Sequence, residues 1–284
     1  MKTIIIASNN THKAKEIKSI LSLDGCEFLT LREAGIDVDP DESAKTYLGN
    51  ARIKAKAVVD AWHALASVRS MSCEDVLNGR DDNLDDEREP SDAKRGSEAS
   101  CELRGVAQDR VERDFRDVYV LADDSGLEVD ALSGGPGVHS ARYAGEDASD
   151  ADNNAKLLRE LDGVAERNRG ARFVCQLVML RVEAQIDSSD GETRQCANGE
   201  QAKCGGVNST QDAVGEITAR GTFEGRIAFS ESGAGGFGYD PLFLPKFCNY
   251  ERSAAELSPD EKNAVSHRAC ALHQLREKLV ASGW

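Results

Sequence analysis

An apolar run, Val118–Ala122, leads straight into two adjacent carboxylates, Asp123 and Asp124, followed by Ser125 and Gly126. This beginning of Leu121–Tyr143 (LADDSGLEVDALSGGPGVHSARY) constrains the fold more than any other stretch. The run reads as the end of a buried strand. Neighbours on an extended chain point to opposite faces of a sheet. Two acids side by side therefore cannot both reach solvent unless a cleft opens at the strand's end, where α/β sheets form their crevices. Further on, Gly134-Gly135-Pro136-Gly137 predicts a sharp bend and a close approach of backbone to another group. Alone, these residues also fit an acidic turn followed by a glycine-rich loop.

The flanking segments add strands, helices and cations. Lys2–Ala7 (KTIIIA) reads as a buried first strand. The polar Ser8-Asn9-Asn10-Thr11-His12-Lys13 then opens a helix with Ala14, Ile17 and Leu21 on one face, capped by Asn10 or Thr11. A strand feeding a helix N-terminus suits an anion, and Lys13 adds a cation; an ordinary cap with a solvated lysine fits as well. Glu27–Leu31 reads as a second strand, and Gly35–Glu42 as a turn bearing Asp37, Asp39, Asp41 and Glu42. Thr46–Trp62 predicts a helix with Leu48, Ala51, Ala55, Val58 and Trp62 on one stripe and Arg52, Lys54 and Lys56 off it. Ser149 and Asp152 form a helix-opening capping box. Arg172–Val182 reads as a strand buried on both faces. Glu216–Phe223 and Arg226–Phe229, separated by Gly225, read as a hairpin.

Two later stretches carry candidate binding groups. Ser232–Pro241 (SGAGGFGYDP) combines a glycine-rich backbone able to touch a ligand with Phe237, Gly238, Tyr239 and Asp240. Ser258-Pro259-Asp260-Glu261 is a strong helix start, followed by Lys262, His267 and Arg268. On an unbroken helix Lys262 and His267 would lie roughly 140° apart. Either the helix breaks between them or the ligand is long.

Composition bounds what such a chain can do. Over 284 residues, 40% hydrophobic residues supply a mostly aliphatic core, since aromatics make up 5%. A net charge of −15 argues against a nucleic-acid surface but not against a phosphorylated small molecule. No apolar run is long enough to span a bilayer and no signal peptide is evident, so the expected location is cytoplasmic. Eight cysteines form no C-x-x-C pair, and reduced thiols are expected, with Cys175 packing in a strand. In residues 70–117, 15 acids outnumber 8 bases with no hydrophobic period, which reads as a disordered acidic insertion with a loose helix at Val106–Phe115. Residues 183–213 read as a polar loop insertion.

Taken in order, ASNNTHK, ESAKTYLGNARIKAKA, LADDSGLEVDALSGGPGVHSARYAGEDA, GAGGFGYDPLF and AAELSPDEKNAVSHRACAL resemble the inosine triphosphate pyrophosphatase family over all but the two insertions. The resemblance implies one α/β domain over residues 1–284: an elongated mixed sheet flanked by helices, two lobes around a central cleft, and a homodimer. It implies Mg²⁺-dependent hydrolysis of purine nucleoside triphosphates (ITP, dITP, XTP) to monophosphate and pyrophosphate. By position, it makes Asp124 the proton acceptor and Asp41, Glu42, Asp123 and Asp124 the metal-binding acids. It gives triphosphate contacts to Ser8, Asn9, Asn10, Thr11, His12, Lys13 and Lys54. Nucleotide contacts fall to Ser125, Phe237, Gly238, Tyr239, Asp240, Lys262, His267 and Arg268. Two positions depart from the family pattern: Glu42-Ser43-Ala44 stands for Glu-Thr-Gly, and Gly49 precedes Asn50-Ala51 in place of glutamate. The second departure leaves a catalytically weak nucleotide-binding sensor as the alternative reading.

Overall fold

The computed structural model of the chain describes residues 1–78, 117–183 and 215–284, with residues 68–78 as helical backbone only. Strand β1 (Lys2–Ala7) lies parallel to both β2 (Cys26–Thr30) and β3 (Val118–Val129). β4 (Gly170–Arg181), β5 (Glu216–Ile227) and β6 (Phe243–Pro245) continue the sheet antiparallel. The resulting mixed sheet has the order β2-β1-β3-β4-β5-β6. Around it run α1 (Thr11–Ile20), α2 (Leu31–Ala34), α3 (Tyr47–Asn78), α4 (Asp150–Glu160), α5 (Pro259–Val265) and α6 (His267–Ala281).

Period-two alternation decides what each face buries. Ile4, Ile6, Leu121, Leu177 and Met179 pack with Ile17 of α1 and Leu272 and Leu275 of α6. Ile5, Ala7, Val120 and Ala122 point the other way, onto Leu31 of α2 and Ala51, Ala55 and Val58 of α3. A third cluster joins Leu127, Phe173, Phe223 and Phe243 to Leu157 and Leu161 of α4 and its C-terminus. Leu127 has the same parity as Leu121, so the first and third clusters share one face. Asp123 and Ser125 lie between them, a polar layer separating two lobes.

Several expectations change. β3 does not end at Ala122; it runs on to Val129 because β4 pairs with it from Tyr119↔Arg181 to Val129↔Ala171. What ends there is β1, whose last partner pair is Ala7↔Ala122. Asp123 and Asp124 therefore follow directly on the point where β1 leaves the sheet. β2 stops at Thr30, because Thr30 and Glu33 form a capping box that starts α2 at Leu31. β5 is one continuous strand without a hairpin at Gly225. A Cβ on Gly225 would lie 2.5 Å from the Leu244 carbonyl oxygen, so this glycine admits β6.

Helix α3 extends past Trp62 to Asn78, into the stretch read as the acidic insertion, and Leu65 and Ala66 still pack on its core face. The expected helix at Val106–Phe115, residues 79–116 of the first insertion and residues 184–213 of the second lie outside the described residues. Among the described residues, no helix is long and apolar enough to cross a membrane. Cys26, Cys175, Cys248 and Cys270 are free thiols.

Candidate active site

The end of β1 delivers the chain to α1. Asn10 caps that helix, its side chain accepting from the His12 and Lys13 N–H groups, while Ser8 Oγ accepts from Asn10 N at 3.2 Å. Asn9 reaches across to the Val38 carbonyl at 3.3 Å. Asn9, Asn10, Thr11 and His12 stay exposed. Lys13 turns inward, and its Nζ lies 2.9 Å from Asp123 Oδ1.

Asp123 faces α1 and α6. Besides Lys13, its carboxylate accepts from Ser125 Oγ at 2.6 Å, Arg268 Nε at 2.7 Å and Cys175 Sγ at 3.3 Å. Arg268 also donates to Ser125 Oγ at 3.1 Å and forms a short ion pair with Glu16. Burial alone would raise the Asp123 carboxyl, but the Arg268 guanidinium and Lys13 ammonium outweigh it and hold it well below the ordinary aspartate value. Cys175 does more than pack: burial, then the Asp123 charge, push its thiol up, so it is a neutral donor.

Asp124 faces α3. Lys54 Nζ bridges Asp124 Oδ1 and Glu42 Oε2, at 2.9 Å from each, and approaches the Asp123 carbonyl at 3.4 Å. Burial lowers the Lys54 ammonium, but Asp124 and Glu42 outweigh it and raise it overall. Burial pushes the Asp124 carboxyl up against the pull of Lys54. Its Oδ2 is buried without a hydrogen-bond partner among the described residues. The acidic turn is fixed from both sides. Buried Asn50 accepts the Ala44 N–H at 2.9 Å, and Arg142 donates to the Glu42 carbonyl at 3.1 Å. Asp41 remains exposed, and no three acidic, histidine or cysteine side chains gather as a metal cluster among the described residues.

The helix carrying the last predicted groups does break. Ser266 ends α5 and caps α6, accepting the Ala269 N–H, so Lys262 and His267 belong to different helices. Lys262 Nζ lies 2.6 Å from Asp240 Oδ2, 3.7 Å from Glu16 and 4.7 Å above the Phe237 ring. His12 stacks on Phe237 with ring centres 5.7 Å apart. His267 is buried against Phe173, and burial followed by the nearby Arg268 charge keeps its imidazole neutral. Its Nδ1 has no partner among the described residues.

The glycine-rich loop departs from expectation in part. Gly236 packs on the Asp240 carboxylate: a Cβ there would lie 2.1 Å from Oδ2. Tyr239 is a core residue whose hydroxyl donates to the Ser140 carbonyl at 2.8 Å, so it offers no stacking surface, and the Phe237 ring carries His12 and Lys262 against it. Gly238 donates its N–H to Asp150 at 2.7 Å and accepts from Asn154 at 3.2 Å, both on α4. Sequence reasoning missed Glu16, which grips both Arg268 and Lys262. Its place one helical turn after Lys13 was the available signal.

A family model described as the Ham1 family matches residues 4–81 and 73–278. A dITP/XTP pyrophosphatase of Clostridium perfringens is 36% identical over 279 residues, covering 98% of both chains. One of Bacillus subtilis is 33% identical over 281 residues, covering 99% of this chain and 98% of the relative. Among solved structures, a HAM1 protein from Coxiella burnetii superposes with a TM-score of 0.62 at 27% identity, covering 99% of this chain and all of the other. The Staphylococcus aureus Ham1 protein gives 0.60 at 28% identity, with the same coverage.

Proposed function

This chain belongs to the Ham1 family, and on that premise we propose that it is a nucleoside triphosphate pyrophosphatase that removes non-standard purine nucleotides such as dITP and XTP from the nucleotide pool. The products are the monophosphate and pyrophosphate. The observation that best supports chemistry over mere binding is the Glu42–Lys54–Asp124 bridge. Two carboxylates share one cationic position, beside a buried Asp124 oxygen with no partner among the described residues.

That donor set suits Mg²⁺, which takes one or two carboxylates and leaves its other positions to water and phosphate oxygens. Glu42 and Asp124 would hold it, with Asp41 close in sequence, and the ion would supply charge neutralisation at the phosphates. Asp124, its carboxyl raised by burial, accepts the proton of the water that attacks the α-phosphorus. Lys13 and Lys54 flank the acids and neutralise the phosphate chain, and the α1 N-terminus adds N–H groups. Phe237, with Lys262 over its ring, lines the side of the site that takes the base. With the proton of its neutral imidazole on Nδ1, His267 offers a donor that a 6-keto purine satisfies and a 6-amino purine does not, which rejects adenine by about a hundredfold or more. We propose further that the protein is a cytoplasmic homodimer.

Pyrophosphate release with dITP, XTP, ITP, ATP and GTP, with and without chelator, tests the reading. Asp124→Asn should fold and lose turnover by roughly 10²–10⁴-fold. Near-normal turnover in that variant removes Asp124 from the role, and equal kcat/KM for ATP and ITP removes the base selectivity. The sensor alternative depended on Gly49, yet Glu42, Lys54 and Asp124 come together with glycine at that position.

A further inference from the structure

Asp123 and Asp124 are neighbours, both buried, yet one is saturated and the other is not. A carboxylate has about four lone-pair sites. On Asp123 all four are taken: Lys13 Nζ and Ser125 Oγ on Oδ1, Arg268 Nε and Cys175 Sγ on Oδ2. Its side chain has 0% exposure. A divalent ion could bind here only by displacing a buried cation or stranding a buried donor, and either is costly. Asp124, one residue on and facing the opposite side of the sheet, has no hydrogen-bond partner on Oδ2 among the described residues.

We propose that Asp123 is a positioning residue and not a metal ligand. Its carboxylate ties Lys13 of α1 to Arg268 of α6, two helices packed on one face of the sheet, at the point where β1 ends. The Cys175 thiol, reaching from β4, is the fourth contact that fixes the carboxylate's orientation. Glu16 closes the ring by pairing with Arg268 and approaching Lys262 at 3.7 Å. The groups on the phosphate side and on the base side are thereby held as one unit, and Asp124 is left to the metal and the water. This assignment deepens the pyrophosphatase reading and rests on it.

The test separates metal binding from nucleotide binding. Mn²⁺ binding to the intact protein, followed by electron paramagnetic resonance without nucleotide, is compared with KM and kcat for dITP. Asp123→Asn should bind Mn²⁺ as the wild type does while KM rises about tenfold or more, the effect of losing charge-assisted bonds. Asp124→Asn should lose Mn²⁺ affinity. Equal loss of Mn²⁺ affinity in both variants overturns the proposal. If neither variant changes Mn²⁺ affinity, the metal reading of Glu42 and Asp124 fails, and the KM rise in Asp123→Asn still supports the positioning role. Should Asp123→Asn not fold, Cys175 decides. Cys175→Ala should raise KM about threefold with kcat and Mn²⁺ affinity unchanged, and Cys175→Ser should restore it. A wild-type KM in Cys175→Ala overturns the proposal.

Discussion

At residue 49, two effects of known size oppose each other. Thr46 Oγ1 accepts the Gly49 N–H at 3.1 Å, so the glycine sits in the capped first turn of α3, where alanine would gain about 1 kcal/mol of helix propensity. A Cβ there would lie 2.6 Å from the Ala44 Cβ, which no side-chain rotation can move. Overpacking of this kind costs about 1–3 kcal/mol. The clash wins, so Gly49→Ala should lower the unfolding free energy by about 1 kcal/mol net in urea titration. Adding Ala44→Gly should recover it, leaving the double variant at or above the parent. The two departures from the family pattern are thus one packing change: Ala44 occupies the space that a side chain at 49 would need. Legibility at this scale was uneven for a physical reason. Lys13, Lys54, Asp124 and Arg268 stand in motifs whose order survives in the chain. Cys175 reads as one more apolar strand residue, because a thiol's hydrogen bond to a carboxylate 52 positions away leaves no local trace.

Elements are positioned here by close backbone contact. A Cβ on Gly221 of β5 would lie 2.1 Å from the His267 carbonyl oxygen and 2.5 Å from the Ala271 N, both on α6. Backbone cannot step aside as a side-chain tip can. Gly221→Ala should therefore cost about 3 kcal/mol in urea unfolding. Because His267 and Arg268 open α6, KM for dITP should rise in the same variant; an unchanged KM would show that the helix keeps its seat. Helix α2 offers a pH test. Above all the Thr30 N–H, and then Lys18, hold the Glu33 carboxyl down to about 2 from an ordinary 4.5. The unfolded chain takes up that proton near pH 4.5 and the folded chain only near 2, so the stabilisation is complete above the first value and lost toward the second. Glu33→Gln should lower Tm at pH 7, and the difference should close between pH 4.5 and 2. The long apolar run of β4 and the capping-box helix starts were legible because their signals are local. The end of β1 and the continuity of β5 were not, because pairing partners decide where a strand stops.

Across the whole molecule, the sheet has a working end and a remote end, and Asp117, Arg181 and Gly215, the described residues beside the insertions on the strands, lie at the remote one. Residues 79–116 precede Asp117, whose carbonyl accepts from Thr3 at the start of β1. Residues 184–214 connect β4 to β5, and Arg181, the last residue of β4, lies opposite Tyr119, near the start of β3. Asp124 pairs with Gln176, which places Asp124 roughly 23 Å along β3 from Asp117 and roughly 17 Å along the strands from Arg181. Lengthening a connection adds little loop-closure cost, about 0.6 kcal/mol per doubling, so an insertion here is tolerable without touching the chemistry. The second connection can be tested cleanly, since its flanks already meet. The Arg181 N–H donates to the Gly215 carbonyl at 3.1 Å, and a Cβ on Gly215 would lie 3.9 Å from Glu183 Oε1. Joining Glu183 to Gly215 through Asn-Gly closes a four-residue loop between the paired Arg181 and Gly215, a common hairpin length, and should leave β4 and β5 in register. The shortened protein should keep kcat/KM for dITP within about twofold and unfold at the same or a slightly higher urea concentration. A fall in kcat/KM of an order of magnitude or more, with the urea midpoint unchanged, would mean that residues 184–214 reach the working end and take part in the reaction.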